Sequence, residues 1–145
     1  MKISARSDYG VRALTDLAQH YGKGPIPSNE VAARQAIPEP YLDQLMTVLR
    51  KAGLIRSMRG PSGGHVLAKD PSEITLAEVV GVLEGSMAPI ACVDETSDCP
   101  QIGSCVQREV WVKLKEGTKQ VLDGITIADL AAKQSRREER PMFYI

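Results

Sequence analysis

The chain has 145 residues, of which 43% are apolar and 25% are charged, so it is long enough to fold as one domain and too apolar to be disordered. Its net charge is zero, but residues 1–70 carry a net charge of +4 and residues 71–145 carry −4, which favours nucleic-acid contact by the basic half. No run of about 18 apolar residues and no secretory signal are present, so we expect a cytoplasmic protein with reduced thiols and no membrane partner.

Apolar residues at three- and four-residue spacing predict three helices in the first part of the chain. The first spans residues 5–22, the second spans 28–36, and the third begins near Pro40 and ends before Gly53. A turn at residues 37–40 joins the second helix to the third. The inward stripe of the third helix consists of Leu42, Leu45, Met46 and Leu49.

A two-stranded hairpin is predicted next, because the short runs 54–58 and 65–68 flank the glycine-rich segment 59–64. Three helices followed by a hairpin is the element order of a winged helix-turn-helix, so we predict a mostly α fold with a two-stranded wing. The glycine-rich segment is not a phosphate-binding loop. It lacks the Gly-Lys-Ser/Thr ending, and no helix follows it directly.

Capping-box patterns predict where the later helices begin. Thr75 opens a fourth helix that ends at Gly85, Ser104 opens a long helix that ends near Asp123, and Thr126 opens a last short helix. The long helix carries a narrow apolar seam, which favours pairing with another helix in a homodimer; packing on its own domain is the alternative. The seam residues are Val106, Val110, Leu114, Gly117 and Val121.

These elements divide the chain into four predicted segments. They are a winged helix-turn-helix DNA-binding domain (1–84), a cysteine loop (85–104), a dimerisation helix with the short terminal helix (105–134), and a charged tail (135–145).

The third helix is the candidate recognition helix, because the second helix of a helix-turn-helix enters the major groove of DNA. Gln44 can pair with an adenine edge and Tyr41 can contact a phosphate, while Arg56 lies near the end of the same unit. Arg59 at the hairpin tip suits a narrow minor groove, and the adjacent glycine permits close approach. The residues assigned to DNA binding are Tyr41, Gln44, Arg50, Lys51, Arg59, Gly60 and Ser62.

The three cysteines, Cys92, Cys99 and Cys105, all lie within 14 residues and indicate an inorganic cofactor. Three thiolates can hold a soft metal or an iron–sulfur cluster with one position left for another ligand. The Cys-x6-Cys-x5-Cys spacing lacks the tight pair of structural zinc sites, which favours a cluster. His20 and His65 are predicted to be plain surface or boundary histidines. The fourth ligand is open between a residue of a second subunit and the carboxylates of Asp94, Glu95, Asp98 and Glu109.

With wing and thiol loop together, the sequence resembles the Rrf-two family of winged-helix transcription regulators, of the IscR/NsrR type. The resemblance runs nearly the full length of the chain. Besides the three cysteines, the matching segments are residues 1–14, 41–45, 49–54, 59–64, 67–70 and 74–78.

The resemblance implies a homodimer that binds roughly palindromic promoter DNA, in many cases as a repressor. It also implies that Cys92, Cys99 and Cys105 hold a 2Fe–2S or 4Fe–4S cluster that controls DNA binding. IscR-like members carry a histidine ligand where this chain has Arg108. Some nitric-oxide-sensing members use an aspartate from the partner's first helix, and Asp8 stands at that place, so we nominate Asp8 as the fourth ligand.

Two alternatives remain for the thiol loop. It could hold a structural zinc that only supports the dimer, or the protein could work without a cofactor and sense through a partner protein. A redox enzyme is disfavoured by the lack of a Cys-x-x-Cys pair and of a paired acid and base. The signal, whether iron supply, oxygen, redox state or nitric oxide, stays open.

Overall fold

The computed structural model describes residues 2–94 and 98–140, and within these ranges it contains six helices and one antiparallel two-stranded sheet. The order of elements is that of a winged helix-turn-helix, which confirms the predicted fold. None of the described helices combines the length and the apolarity that a bilayer crossing requires. The elements are α1 (Ala5–Gln19), α2 (Ser28–Gln35), α3 (Glu39–Lys51), β1 (Ile55–Met58), β2 (Gly64–Leu67), α4 (Leu76–Glu84), α5 (Val106–Asp123) and α6 (Ile127–Glu138).

Helix α1 lies at the centre of the core and contacts α2, α3, α4, α6 and β2. It ends three residues before the predicted boundary, because Gly22 and Gly24 adopt φ values of +81° and +92° that end the helical path. Gly10 allows close packing against α4, since a Cβ there would lie 2.2 Å from Cδ1 of Leu83 and that side chain would have to turn away. The fully buried apolar side chains around α1 include Ala13, Leu14, Val31, Leu42, Leu49, Leu54 and Ile74.

The turn between α2 and α3 sets the angle of the candidate recognition helix. Ala36 ends α2 in the left-handed conformation, with φ of +52°, and the N–H of Ile37 donates to the carbonyl of Ala32 at 3.0 Å. Helix α3 then begins at Glu39, with Pro40 in its first turn as predicted. Its buried residues are the predicted stripe Leu42, Leu45, Met46 and Leu49.

An ion pair between a buried carboxylate and a partly exposed arginine fastens α2 to α1. Asp16 is 1% exposed, and its two carboxylate oxygens accept from Nη2 and Nε of Arg34 at 2.7 and 2.9 Å. The side-chain amide of Gln35 donates to the same carboxylate at 3.0 Å. The hydrogen bond that Arg34 donates to Asp16 raises the pKa of Arg34 above its usual value.

The C-terminal helix differs from the prediction in length and in position. Helix α6 packs on α1 with Ile127 and Ala131 buried, so it joins the core of the N-terminal domain rather than forming a unit with α5. It also runs through Glu138, so residues 135–138 of the predicted tail are helical. The side-chain amide of Gln19 explains the extension, because it donates to Ser135 and Glu138 of α6 at 3.1 Å.

The predicted caps are formed at two of three helices. Thr126 forms the full capping box of α6 with Asp129. Thr75 accepts from the N–H of Glu78 at 3.1 Å, while the Glu78 carboxylate accepts from Lys69. The cap at Ser104 is wrong: α5 begins at Val106 with Cys105 as its N-cap residue, and no side chain caps it.

Replacing Asp16 with alanine is expected to lower the free energy of unfolding by about 2 kcal/mol, because Gln35 and the 38% exposed side chain of Arg34 lose a charged acceptor. Glu30→Ala is the matched control, since Glu30 is the exposed partner of the same arginine at 3.6 Å. It should cost under about 1 kcal/mol. Urea unfolding of both variants measures the difference, and equal losses would contradict the role of the buried pair.

Candidate nucleic-acid interface and thiol loop

Helix α3 presents a polar face opposite its buried stripe. Gln44, Arg50 and Lys51 are exposed, as the predicted interface requires, and Asp43 lies on the same surface. The hydroxyl of Thr47 donates to the carbonyl of Asp43 at 3.0 Å and is thus satisfied within the helix. The exposed face therefore offers an amide and two cations to a ligand.

Tyr41 lies differently from the other predicted DNA contacts. It is half-buried and meets Tyr9 of α1 edge to face, with ring centroids 5.7 Å apart and planes at 77°. The ring thus belongs to the contact between α1 and α3, and only its hydroxyl remains for a phosphate.

The wing tip is tight and exposed. Arg59, Gly60 and Ser62 are all exposed, and Gly60 adopts φ of +104°. The N–H of Gly63 donates to the carbonyl of Gly60 at 2.9 Å, and a Cβ on Gly63 would lie 2.3 Å from the carbonyl oxygen of Met58. Glycine at these positions therefore fixes a narrow turn with an arginine at its edge.

The base of the wing packs on α3, because α3 and β1 are in direct contact. Burial lowers the pKa of His65 on β2 below its usual range, while Asp43 opposes the shift and Arg50 adds to it. The exposed face of α3 and the wing therefore lie side by side.

Asp8, the nominated fourth ligand, connects to Tyr41 through a chain of contacts. Its carboxylate accepts from Nη2 of Arg12 at 2.9 Å, and both side chains are about half exposed. The guanidinium of Arg12 lies 5.7 Å from the ring centroid of Tyr9. Tyr9 in turn meets Tyr41 on α3.

The thiol loop is fastened to α5 at two points. Nε of Arg108 donates to the carbonyl of Cys92 at 3.2 Å, and Nζ of Lys115 lies 2.9 Å from the carboxylate of Asp94. A hydrogen bond from Ser86, then the one from Lys115, lower the pKa of Asp94 below its usual value. Cys92 thus sits in a short 3-10 turn, Ala91–Val93, that is held against the helix which Cys105 opens.

The three cysteines carry thiols that can bind a soft metal or an iron–sulfur cluster, but their side chains do not converge on one point. None of them is in a disulfide; Cys92 and Cys105 are half-buried and Cys99 is exposed. Within residues 2–94 and 98–140, no three His, Cys, Asp or Glu side chains converge as metal ligands. Asp94 is engaged by Ser86 and Lys115, and Glu95 lies outside the described residues. Cofactor binding therefore requires the loop to draw its thiols together.

Two features of this region were missed by sequence reasoning. Asp16 was not singled out, although its place three residues after inward-facing Ala13 on α1 is a signal for a buried carboxylate that needs a partner. His65 was predicted to be a plain surface or boundary histidine, and its environment depends on the wing fold.

The family model described as Rrf2 (Rrf-two), iron-dependent transcriptional regulator, matches residues 3–133. The chain is 37% identical over 145 residues to the HTH-type transcriptional regulator CymR of Bacillus subtilis (strain 168), with 100% of each covered. The solved structure of CymR, the global cysteine regulator of B. subtilis, matches with a TM-score of 0.78 at 36% identity, covering 92% of this chain and 98% of that one. The T. potens IscR structure matches with a TM-score of 0.78 at 40% identity, covering 99% and 95%. These relatives are regulators and not enzymes, as the sequence predicted.

Proposed function

This chain belongs to the Rrf2 family of transcriptional regulators, and we propose that it is a homodimeric, promoter-binding repressor controlled by an iron–sulfur cluster. Cys92, Cys99 and Cys105 would hold the cluster, and Asp8 of the partner subunit would supply the fourth ligand. The observation that carries the proposal is the thiol loop itself, which Arg108 and Lys115 tie to α5 while that helix leaves its apolar seam uncovered.

Double-stranded DNA is the proposed ligand of the surface that α3 and the wing share. Gln44 suits a base edge in the major groove, and Arg50 and Lys51 suit phosphates. Arg59 suits a minor groove, where Gly60 and Ser62 allow the backbone to approach. Two copies would read half-sites about 34 Å apart or a multiple of that distance.

A second copy of the chain is the proposed occupant of the α5 seam. Val106, Val110, Leu114 and Val121 are 76%, 56%, 43% and 63% exposed, although the four side chains share one face of the helix. No residue of α5 is buried, so the helix gains little from packing on its own domain. Pairing of two seams would bury this face in the manner of a coiled coil.

The cluster, when bound, would supply a centre that reacts to iron supply, oxygen, redox state or nitric oxide. The chain's own residues offer a route from that centre to DNA. Asp8 is paired with Arg12, Arg12 lies over Tyr9, and Tyr9 packs on Tyr41 of the recognition helix. A change in the partners of Asp8 therefore alters the contacts that seat α3. Coupling of this kind changes affinity about 5- to 150-fold.

A cofactor-free regulator is the second candidate, and two observations favour it. The chain is similar to CymR, described as a cysteine regulator, over its full length, and the described thiols do not converge. Iron, zinc and sulfide analysis of protein purified without oxygen decides among the candidates. Iron with sulfide supports the cluster, and about one zinc without sulfide supports a structural metal. Protein that contains neither iron nor zinc supports the cofactor-free regulator.

Leu114→Glu is expected to convert the homodimer to a monomer, because a carboxylate would be buried in the seam. Tyr21→Glu is the matched control, since Tyr21 is another exposed large side chain, 48% exposed, but lies beyond α1 and away from α5. Sedimentation equilibrium measures the mass. A Leu114→Glu variant that stays dimeric would contradict the α5 interface.

Single replacement of Cys92, Cys99 or Cys105 by alanine is expected to remove the visible iron absorbance of anaerobically purified protein, because each thiolate is a ligand. Ser104→Ala is the control, since it changes a residue next to Cys105 without removing sulfur. Absorbance spectra with iron and sulfide content provide the measurement. Retention of the full spectrum in all three cysteine variants would reject the site.

Arg59→Ala is expected to weaken DNA binding by about 1–3 kcal/mol at sites with A·T-rich flanks and much less at G·C-rich flanks. The reason is that a narrow A·T minor groove concentrates the negative potential that the guanidinium meets. Fluorescence anisotropy with two duplexes that differ only in their flanks measures the preference. An equal loss on both would reduce Arg59 to a phosphate contact.

A further inference from the structure

His65 is bound through both nitrogens of its imidazole ring. Nε2 lies 2.7 Å from Oγ of Ser28, and Nδ1 lies 2.8 Å from Oγ of Ser57. Ser57 is the residue opposite His65 on β1, whereas Ser28 is the first residue of α2. One side chain therefore joins both strands of the wing to the first helix of the helix-turn-helix.

The backbone around His65 reinforces this junction. The N–H of Ile26 donates to the carbonyl of His65 at 3.0 Å, and the N–H of His65 donates to the carbonyl of Ile26 at 2.8 Å. Gly64 makes the approach possible, because it adopts φ of +150° and a Cβ there would lie 2.4 Å from the carbonyl carbon and oxygen of Ile26. The wing is thus seated directly on the segment that leads into α2.

The neutral form of the ring matches this position. Burial is the main cause that lowers the pKa of His65, so the imidazole is uncharged at neutral pH. A neutral imidazole has one N–H donor and one acceptor nitrogen, and a serine hydroxyl can donate or accept. The two serines can therefore satisfy the ring completely, which holds it in one orientation.

We propose that His65 is a positioning residue that sets the pose of the wing relative to α3, so that Arg59 and Gln44 reach one DNA site together. This inference rests on the proposed DNA-binding function. It assigns to His65 no contact with DNA. Its effect on affinity passes through the wing arginine.

A double-substitution cycle with Arg59 tests this role. The probe is a duplex that the unsubstituted protein selects from a random-sequence pool, and fluorescence anisotropy gives the Kd. We expect His65→Ala and Arg59→Ala each to weaken binding roughly tenfold. The double variant should bind no more than about twofold less tightly than Arg59→Ala alone. Once the Arg59 side chain is absent, the position of the wing no longer affects the DNA contact which that side chain made.

Four further variants separate positioning from a loss of folding. Ser28→Ala and Ser57→Ala keep the ring and remove one hydrogen bond each, so each should weaken binding about threefold. His65→Gln supplies a neutral donor and acceptor and should restore most of the affinity that His65→Ala loses. Gln134→Ala removes an exposed side chain of α6 that bonds Glu138 on the same helix, and it should leave the Kd unchanged.

Each outcome of the cycle supports or overturns a stated part of the scheme. Losses from His65→Ala and Arg59→Ala that multiply to roughly a hundredfold would overturn the positioning role, since independent sites add in free energy. Unchanged affinity in both serine variants would overturn it as well. If the unsubstituted protein selects no duplex, the proposed function fails instead, and that result is visible before any variant is made.

Discussion

The ion pair between the buried carboxylate of Asp16 and Arg34 is the contact on which the geometry of the proposed DNA-binding surface depends. A carboxylate that is 1% exposed is stable only because two guanidinium nitrogens and one amide donate to it. Arg34 and Gln35 lie in the last turn of α2, immediately before the left-handed Ala36 that turns the chain into α3. Because this end of α2 is held on α1, the direction of α3 after the turn at Ala36 is held as well.

Helix α2 shows why polar contacts decide the geometry here. It has only eight residues and buries only Val31 and Ala32, so apolar packing constrains it weakly. Asp16 holds its C-terminal end and His65 holds its N-terminal end through Ser28. The two anchors lie on different elements, α1 and the wing strand β2. The short helix α2 thus links the core to the wing and, through the turn at Ala36, to α3, the two elements of the proposed DNA-binding surface.

The elements could be predicted from the sequence because most of them rest on local patterns. The stripe of α3, the glycine-rich tip and the cap at Thr126 each depend on residues within a few positions of one another. The return of α6 to α1 could not be predicted this way, because Gln19 and Glu138 are far apart in sequence and meet only in the fold.

Contacts between residues far apart in sequence also limit what could be predicted of the proposed DNA-binding surface. Gln44, Arg50, Lys51 and the wing tip are exposed as expected, but the ring of Tyr41 is taken by Tyr9, a long-range contact that no spacing rule contains. At Ser104 the local pattern failed, because the helix begins after Cys105 without a side-chain cap.

The departure at Arg108 has a physical consequence for the thiol loop. A guanidinium is charged at all relevant pH values and does not act as a ligand to a metal. Nε of this arginine donates to the carbonyl of Cys92 instead, so the position holds the backbone of the loop on α5. Under the proposed function Asp8 of the partner subunit supplies the fourth ligand instead, and the loop's own Asp94 is already engaged by Lys115. Asp8 is exposed and pairs with Arg12 across the surface of α1. A surface ion pair of this kind contributes little to stability, so replacing it with a bond to a cluster would cost little. A ligand from the partner's α1 would connect the cysteine loop of one subunit to α1 of the other, on which α3 of that subunit packs. The state of the cluster would then affect both DNA-binding surfaces of the dimer together.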